Sequence, residues 1–293
     1  MLLAWLALPT ASSLRLVNVA FTDPGPFRRA LCGLRHLKLV RVPTLLGDAS
    51  DDAPRLSALE SLVATDIRLP SVHRLLCQLR ADTLTRLHLN GANDWSPLLA
   101  ALGGLVELDL QGGTMATLKQ VEPLARVPHL RALKLSQVHV HDKDAPTLVA
   151  WLATAEALRE LHWTTSGLAV HGPVALAHAL PRWLRLGLHT LNLATNFIGD
   201  DAAQVLSMAI AKGGHTHNVA LDLSANAFKL PGLRALLLAL SASVNVSIRL
   251  NKLQLMRRHI EELDAFAAVH KIQCDSTTRV YSAPPADATP WRL

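Results

Sequence analysis

Charge of one sign never gathers in this sequence. The formal net charge is +6, yet the densest groups are short: Arg28-Arg29, then Arg35, Lys38 and Arg41, and later Arg257-Arg258. No run of five like charges occurs, which argues against a nucleic-acid groove. Cysteine is scarce. Cys32, Cys77 and Cys274 are odd in number and far apart, so neither a disulfide framework nor a C-x-x-C zinc site is expected. They are expected to be small buried side chains in an intracellular, reducing compartment. No stretch of 18 uninterrupted apolar residues exists, so no membrane span is expected. The apolar start, Leu2 to Leu8, has no basic residue before it and is read as a terminal helix covering the end of the fold rather than as a leader. Aromatic residues make up only 4% of the chain, whereas 50% is hydrophobic. The core must therefore be aliphatic, which suits thin layers.

Catalytic signatures are also missing. There is no G-x-x-x-x-G-K-[ST] loop, no G-x-S-x-G elbow and no H-E-x-x-H helix. Carboxylates are scattered, so no acid/base pair is legible and no enzyme activity is expected. The fourteen histidines offer two weak metal candidates, His139-Val140-His141-Asp142 and His215-Thr216-His217, but each lacks the further ligands a site needs. No metal or cofactor is expected. The sequon Asn245-Val246-Ser247 falls in a predicted strand and is read as chance. Trp151 and Trp163 are read as core. Trp95, in a strand-to-helix loop, is also expected to pack, although it is the tryptophan most open to exposure.

What is present is a repeat. An apolar residue, two free positions, an apolar residue, one free position and an apolar residue recur along the chain. Examples are Leu14/Val17/Val19, Leu34/Leu37/Leu39, Leu84/Leu87/Leu89, Leu108/Leu110 after Leu105, and Leu188/Leu191/Leu193. The remaining copies start at Leu59, Leu130, Leu158, Asn218, Asn245 and, more weakly, Val269. Successive starts lie 20 to 30 residues apart by subtraction. Alternation across Leu-x-Leu puts both leucines on one face of a short strand, and stacked copies bury that face together. Helices are expected between the strands. Ser96 is read as the cap before Pro97, Asp144 stands before Pro146, Asp200-Asp201 opens 202–212, and Pro231 opens 233–240.

The segment 188–214, LHTLNLATNFIGDDAAQVLSMAIAKGG, resembles the ribonuclease-inhibitor type of leucine-rich repeat. The resemblance spans nearly the whole chain at pattern level and is close from about residue 158 to 250. It implies an α/β solenoid, a horseshoe with a curved parallel sheet on the concave face and helices on the convex face. It also implies that Asn196 and Asn226, nine positions into their repeats, are buried and bond turn backbone. Earlier repeats carry Val42, Ala92, Gly113, Val138 and Ser166 there, so that ladder is broken. The expected organisation is a capping segment at 1–13, a solenoid at 14–275 with a loop insertion at 43–57, and a flexible tail at 276–293.

Residues between the last two apolar positions of each strand line the concave face: Asn18, Lys38, Val63, His88, Asp109, Lys134, His162, Asn192, Asp222, Arg249 and Gln273. Arg86, Glu107 and Glu160 lie two positions earlier on the same face. The row is mixed in charge, which suits a protein surface better than a polyanion. A monomeric protein-binding scaffold is therefore expected, with its partner centred on His88, Asp109, Lys134 and His162. Two further roles fit the resemblance: a regulator like the activators of Ran-type GTPases, or the substrate receptor of an F-box-type ubiquitin ligase. No edge residue of the first kind can be assigned, and no F-box is legible before Leu14.

Overall fold

The computed structural model describes the chain apart from residues 1, 7, 9, 22, 24, 43–55, 67–71, 92, 121–122, 213, 215 and 285–293. The expected insertion at 43–57 thus lies almost wholly outside the described residues, as do Ala92, His215 and the end of the tail. The chain forms two compact units, residues 1–139 and 140–293, and the boundary falls inside the segment expected to be one array.

The first unit opens with a five-residue helix, α1 (Leu2–Leu6), and then β1 (Ser13–Val17), α2 (Gly25–Ala30) and β2 (His36–Val40). It continues with β3 (Ser61–Thr65), α3 (Val72–Gln78), β4 (Arg86–Asn90), α4 (Ser96–Ala101), β5 (Glu107–Gln111) and β6 (Ala132–Ser136). The strands pair in parallel and in chain order, with Leu37, Leu62, Leu87, Leu108 and Leu133 in one aligned row. That row and the row of Leu39, Ala64, Leu89, Leu110 and Leu135 are buried, while the alternate residues face solvent. Burying two leucines per strand against the neighbouring repeats is the main apolar gain of each repeat.

The first repeat departs from the expected register. Leu14 and Leu16, not Val17 and Val19, align with Leu37 and Leu39. Val17 is exposed and Asn18 has left-handed backbone with φ 55°. The residue beside Lys38 is therefore Arg15, and Asn18 sits in the turn. The sequence fits both frames, and burial of Ala11 at the first apolar position selects the observed one.

The second unit comprises α5 (Ala145–Leu152), β7 (Glu160–Thr164), α6 (His171–Leu186), β8 (Thr190–Asn192), α7 (Asp200–Ala211), β9 (Val219–Asp222), α8 (Leu230–Ser241) and β10 (Val246–Arg249). It closes with α9 (Arg257–Val269), β11 (Gln273–Asp275) and β12 (Val280–Ser282). β7 to β10 pair in parallel. The end differs from expectation. β12 inserts antiparallel beside β10, and β11 pairs antiparallel with β12, so the weak eleventh repeat is not a parallel strand. Tyr281, aligned with Ile248, takes the core position instead of Cys274. Its hydroxyl donates to Asp264 Oδ1 at 2.8 Å, and Arg279 Nη1 reaches both oxygens of Asp264 at 2.8 and 2.9 Å. These bonds hold residues 279–282, which composition had placed in a flexible tail. The cysteines differ too: Cys77 and Cys274 are exposed and Cys32 is half-buried.

Neighbouring repeats complete each other's turns. Asn196 and Asn226 are buried, as the resemblance implied. Asn196 Oδ1 accepts the N–H of Ser166 (3.0 Å) and Leu168 (3.2 Å) in the preceding repeat, while its Nδ2 donates to the carbonyls of Trp163 (2.8 Å) and Leu193 (3.1 Å). Asn226 repeats the pattern with Ile198 N–H, Leu193 O and Leu223 O. In the first unit an indole does comparable work. Trp95 is fully buried and its Nε1 donates to Gly112 O at 2.7 Å. Gly113, φ +80°, has no room for a side chain there: a Cβ would lie 2.3 Å from Asn93 O and 2.6 Å from Trp95 Nε1.

Carboxylates cap across repeats as well. Asp94, rather than Ser96, caps α4: Oδ1 accepts Ser96 N–H at 3.1 Å and its hydroxyl at 2.7 Å. Its Oδ2 accepts Thr117 N–H (3.2 Å) from the next repeat. Asp200 opens α7 as expected and also accepts Lys229 N–H at 2.8 Å at the start of α8. Asp142 accepts the N–H groups of Ala169, Val170, His171 and Gly172 at 2.8–3.1 Å around the start of α6. Burial works against ionisation of Asp142, but those four donors outweigh it and bring its pKa down to about 2.

Two predictions follow from this packing. Leu191→Ala or Leu221→Ala should lower unfolding free energy by roughly 2–5 kcal/mol in denaturant titrations, and a change below about 0.5 kcal/mol would show that the assigned strand register is wrong. Asp142→Asn should cost about 2 kcal/mol near pH 7, the equivalent of its depressed pKa. Because the folded-state pKa lies below the unfolded one, that contribution is present above about pH 4 and fades as pH falls toward 2. Wild type and variant should therefore converge in stability between pH 4 and 2. A gap that stays constant over that range would contradict the account.

Candidate protein-binding face

The solvent-facing rows are set by the strand pleat, since residues alternating with the leucines stand on the opposite face. In the first unit, register places Lys38, Val63, His88, Asp109 and Lys134 side by side. Arg86 and Glu107 form the adjoining pair two residues earlier. These residues are brought together as the sequence suggested, and they largely answer one another. His88 Nδ1 lies 2.8 Å from Asp109 Oδ2, Arg86 Nε lies 3.5 Å from Glu107 Oε1, and Asn90 Nδ2 donates to Gln111 Oε1 at 2.9 Å. Lys38 stands exposed.

In the second unit the same register aligns His162, Asn192, Asp222 and Arg249. Two residues earlier the row is Glu160, Thr190, Ala220 and Ser247, so after Glu160 the side chains become small. That change of volume opens a hollow of about 280 Å³. Its polar wall is formed by His162, Asn192, Asp222 and Arg249, and its floor by Ala220 with the backbone of Leu191 and Leu221, whose side chains face the core. Val280 closes the far side. The expected row thus ends on Val280, aligned with Arg249, and not on Gln273, which β12 displaces.

The polar wall is held in place locally. Asn192 Oδ1 accepts Ala194 N–H and Asp222 Oδ1 accepts Ser224 N–H, both at 3.0 Å, so each side chain is tied two residues ahead. Asp222 Oδ2 keeps Arg249 Nη1 at 3.6 Å, and Glu160 Oε2 lies 3.6 Å from His162 Nε2. The hollow thus combines fixed acceptors and one guanidinium with an apolar base at Ala220. Among the described residues, no cluster of three metal-ligating side chains occurs, and no helix is long and apolar enough to cross a membrane.

No family model matches this sequence, and no curated protein does. Solved structures do. An internalin from Listeria monocytogenes matches with a TM-score of 0.57 at 19% identity, over 90% of this chain and 68% of the internalin chain. The fold is that of a leucine-rich-repeat protein. The mouse RP105/MD-1 complex also aligns, with a TM-score of 0.37 and 16% identity over 96% of this chain, which spans 58% of the matched chain.

Within that fold, sequence reasoning located nine positions of the face, Lys38 to Arg249, from Leu-x-Leu alternation. It missed Arg15, the true neighbour of Lys38, and it missed Val280. Only the Leu14-x-Leu16 alternation pointed to the former, while an antiparallel strand after a turn left no periodic signal for the latter. Because Arg249 and Asp222 are an exposed and a half-buried partner at 3.6 Å, their ion pair should contribute little. Arg249→Ala should shift stability by less than about 1 kcal/mol in thermal melts. A loss comparable to that of a strand leucine would mean that the residue is structural and not available to a ligand.

Proposed function

We propose that this protein is a non-enzymatic binding scaffold that recognises another protein on the open strand face of its second unit. The observation that carries the reading is the hollow beneath His162, Asn192, Asp222 and Arg249, where ordered polar groups surround an apolar floor. In the first unit the charged pairs Arg86–Glu107 and His88–Asp109 are already matched across strands, so Lys38 and Lys134 are the cations there that extend recognition. The buried Asn196 and Asn226 support a ribonuclease-inhibitor-like repeat in the second unit. Exposed thiols at Cys77 and Cys274 suit a reducing, intracellular setting.

Interface energy concentrates in a few central residues. A triple variant, Asn192→Ala, Asp222→Ala and Arg249→Glu, should stay folded, with a lower melting temperature from the two lost turn bonds, and should lower recovery of the co-purifying partner at least about tenfold in quantitative affinity capture, a loss of about 1.4 kcal/mol. Capture equal to wild type, with loss instead on changing helix-face residues, would place binding elsewhere.

A further inference from the structure

The turns that follow the strands of the second unit present a second surface, separate from the strand face and independent of the reading above. Corresponding positions in successive repeats are Gly167, Phe197, Ala227 and Gln254. Phe197 is 70% exposed, an unusual state for a phenylalanine, while the residues flanking it in this row are a glycine and an alanine. Two residues earlier the row reads Thr195, Ala225 and Lys252, all in left-handed backbone with φ 52–59°. The left-handed turn sends each side chain out along one edge, and alanine at both 225 and 227 leaves the space between Phe197 and Lys252 unfilled. The result is a cleft of about 530 Å³.

Phe197 forms one wall of this cleft, Ala225 and Ala227 its base, and Lys229, Lys252 and Gln254 its rim. The backbone N–H of Lys229 is used by Asp200 and that of Lys252 by Asn251. Neither ammonium group has an ion-pair partner among the described residues. Asp200 is the nearby counter-charge, but its Oδ1 already serves the backbone. An exposed ring beside a rim with two cations that have no ion-pair partner among the described residues is complementary to an apolar side chain flanked by carboxylates.

We propose that this edge cleft is a docking site for an acidic peptide segment, with a leucine or phenylalanine of the ligand packed on Phe197 and its carboxylates against Lys229 and Lys252. Peptide chemistry is favoured over a polyanion because only two cations line the cleft and the greater part of its lining is apolar. A membrane or nucleic-acid surface would call for a wider basic field.

The test is fluorescence anisotropy with a fluorescein-labelled peptide in which a Leu-Phe pair is flanked on both sides by glutamates. Its glutamine analogue, phosphatidylserine vesicles and an oligo-dT strand serve as comparisons. The glutamate peptide should bind, and the glutamine analogue should bind about tenfold more weakly or worse. Lys229→Glu with Lys252→Glu, and separately Phe197→Ser, should each reduce affinity by about tenfold or more, and added salt should weaken only the lysine-dependent part. The face variant Asp222→Ala should bind the peptide as wild type does, which separates failure of this site from failure of the strand face. Lys229→Gln with Lys252→Gln, checked by circular dichroism, repeats the test without charge reversal should the glutamate pair unfold. Equal binding of the two peptides, wild-type affinity in the lysine variants, or lysine-dependent binding of vesicles or oligo-dT in place of the peptide would overturn the proposal.

Discussion

A leucine-rich repeat cannot satisfy its own turn. The backbone leaves most strands through a left-handed residue, and only some of the N–H and C=O groups around that bend find a partner inside the repeat, as Ala194 and Ser224 N–H do on Asn192 and Asp222. A buried backbone group without a hydrogen bond is costly, so the next repeat must supply the missing partner. It does so through backbone bonds, such as Thr195 N–H to Ser224 O at 2.9 Å, and through polar side chains inserted between layers. Asn196 and Asn226 each join two repeats with both ends of one amide. Asp94, Asp142 and Asp200 do the same with carboxylates. Packing follows the same requirement. A Cβ on Gly232 would stand 2.4 Å from Asp200 Oδ1, so the capping carboxylate of one repeat dictates a glycine in the next.

This constraint explains what could be read from the residues alone. Leu-x-Leu alternation has a period of two and reports directly on a buried strand face, so β2 to β10 were legible in number and register. Asn196 and Asn226 were legible through the resemblance to the ribonuclease-inhibitor type of repeat, which implies a buried asparagine at that position. The first repeat was misframed because Leu14, Val17 and Val19 also satisfy the pattern, and only the depth of burial separates the two frames. Ser96 was misassigned as the cap of α4, a role that Asp94 fills. Local sequence also could not show that Asp94 and Asp200 reach a turn or helix 23 to 29 residues away. Trp95 substitutes for an asparagine through its indole N–H, a role that no spacing rule announces.

The candidate surfaces were legible to different degrees for the same reason. Strand-face residues alternate with core leucines, so His162, Asn192, Asp222 and Arg249 could be named in advance. The hollow they surround arises from residues that attract no notice individually, namely Thr190, Ala220 and Ser247, whose common feature is small size. Phe197 sits in a turn where apolar residues carry no periodicity. Its exposure depends on glycine and alanine in the flanking repeats, a relation visible only once the repeats are aligned in space. The fold thus fixes a common backbone, and differences in side-chain volume between equivalent positions create the two recesses.

Native-state hydrogen exchange of Asn226→Ala tests the reciprocity of the turns most directly. Asn226 Oδ1 accepts the N–H of Ile198, which lies 28 residues away in the preceding repeat. Stacking through shared polar groups predicts that Ile198 N–H loses protection by a factor of about ten or more, the equivalent of about 1.4 kcal/mol, while amides within α8 remain protected. Unchanged exchange at Ile198, with loss confined to the turn that contains residue 226, would show that each repeat supports its own bend and would contradict the account.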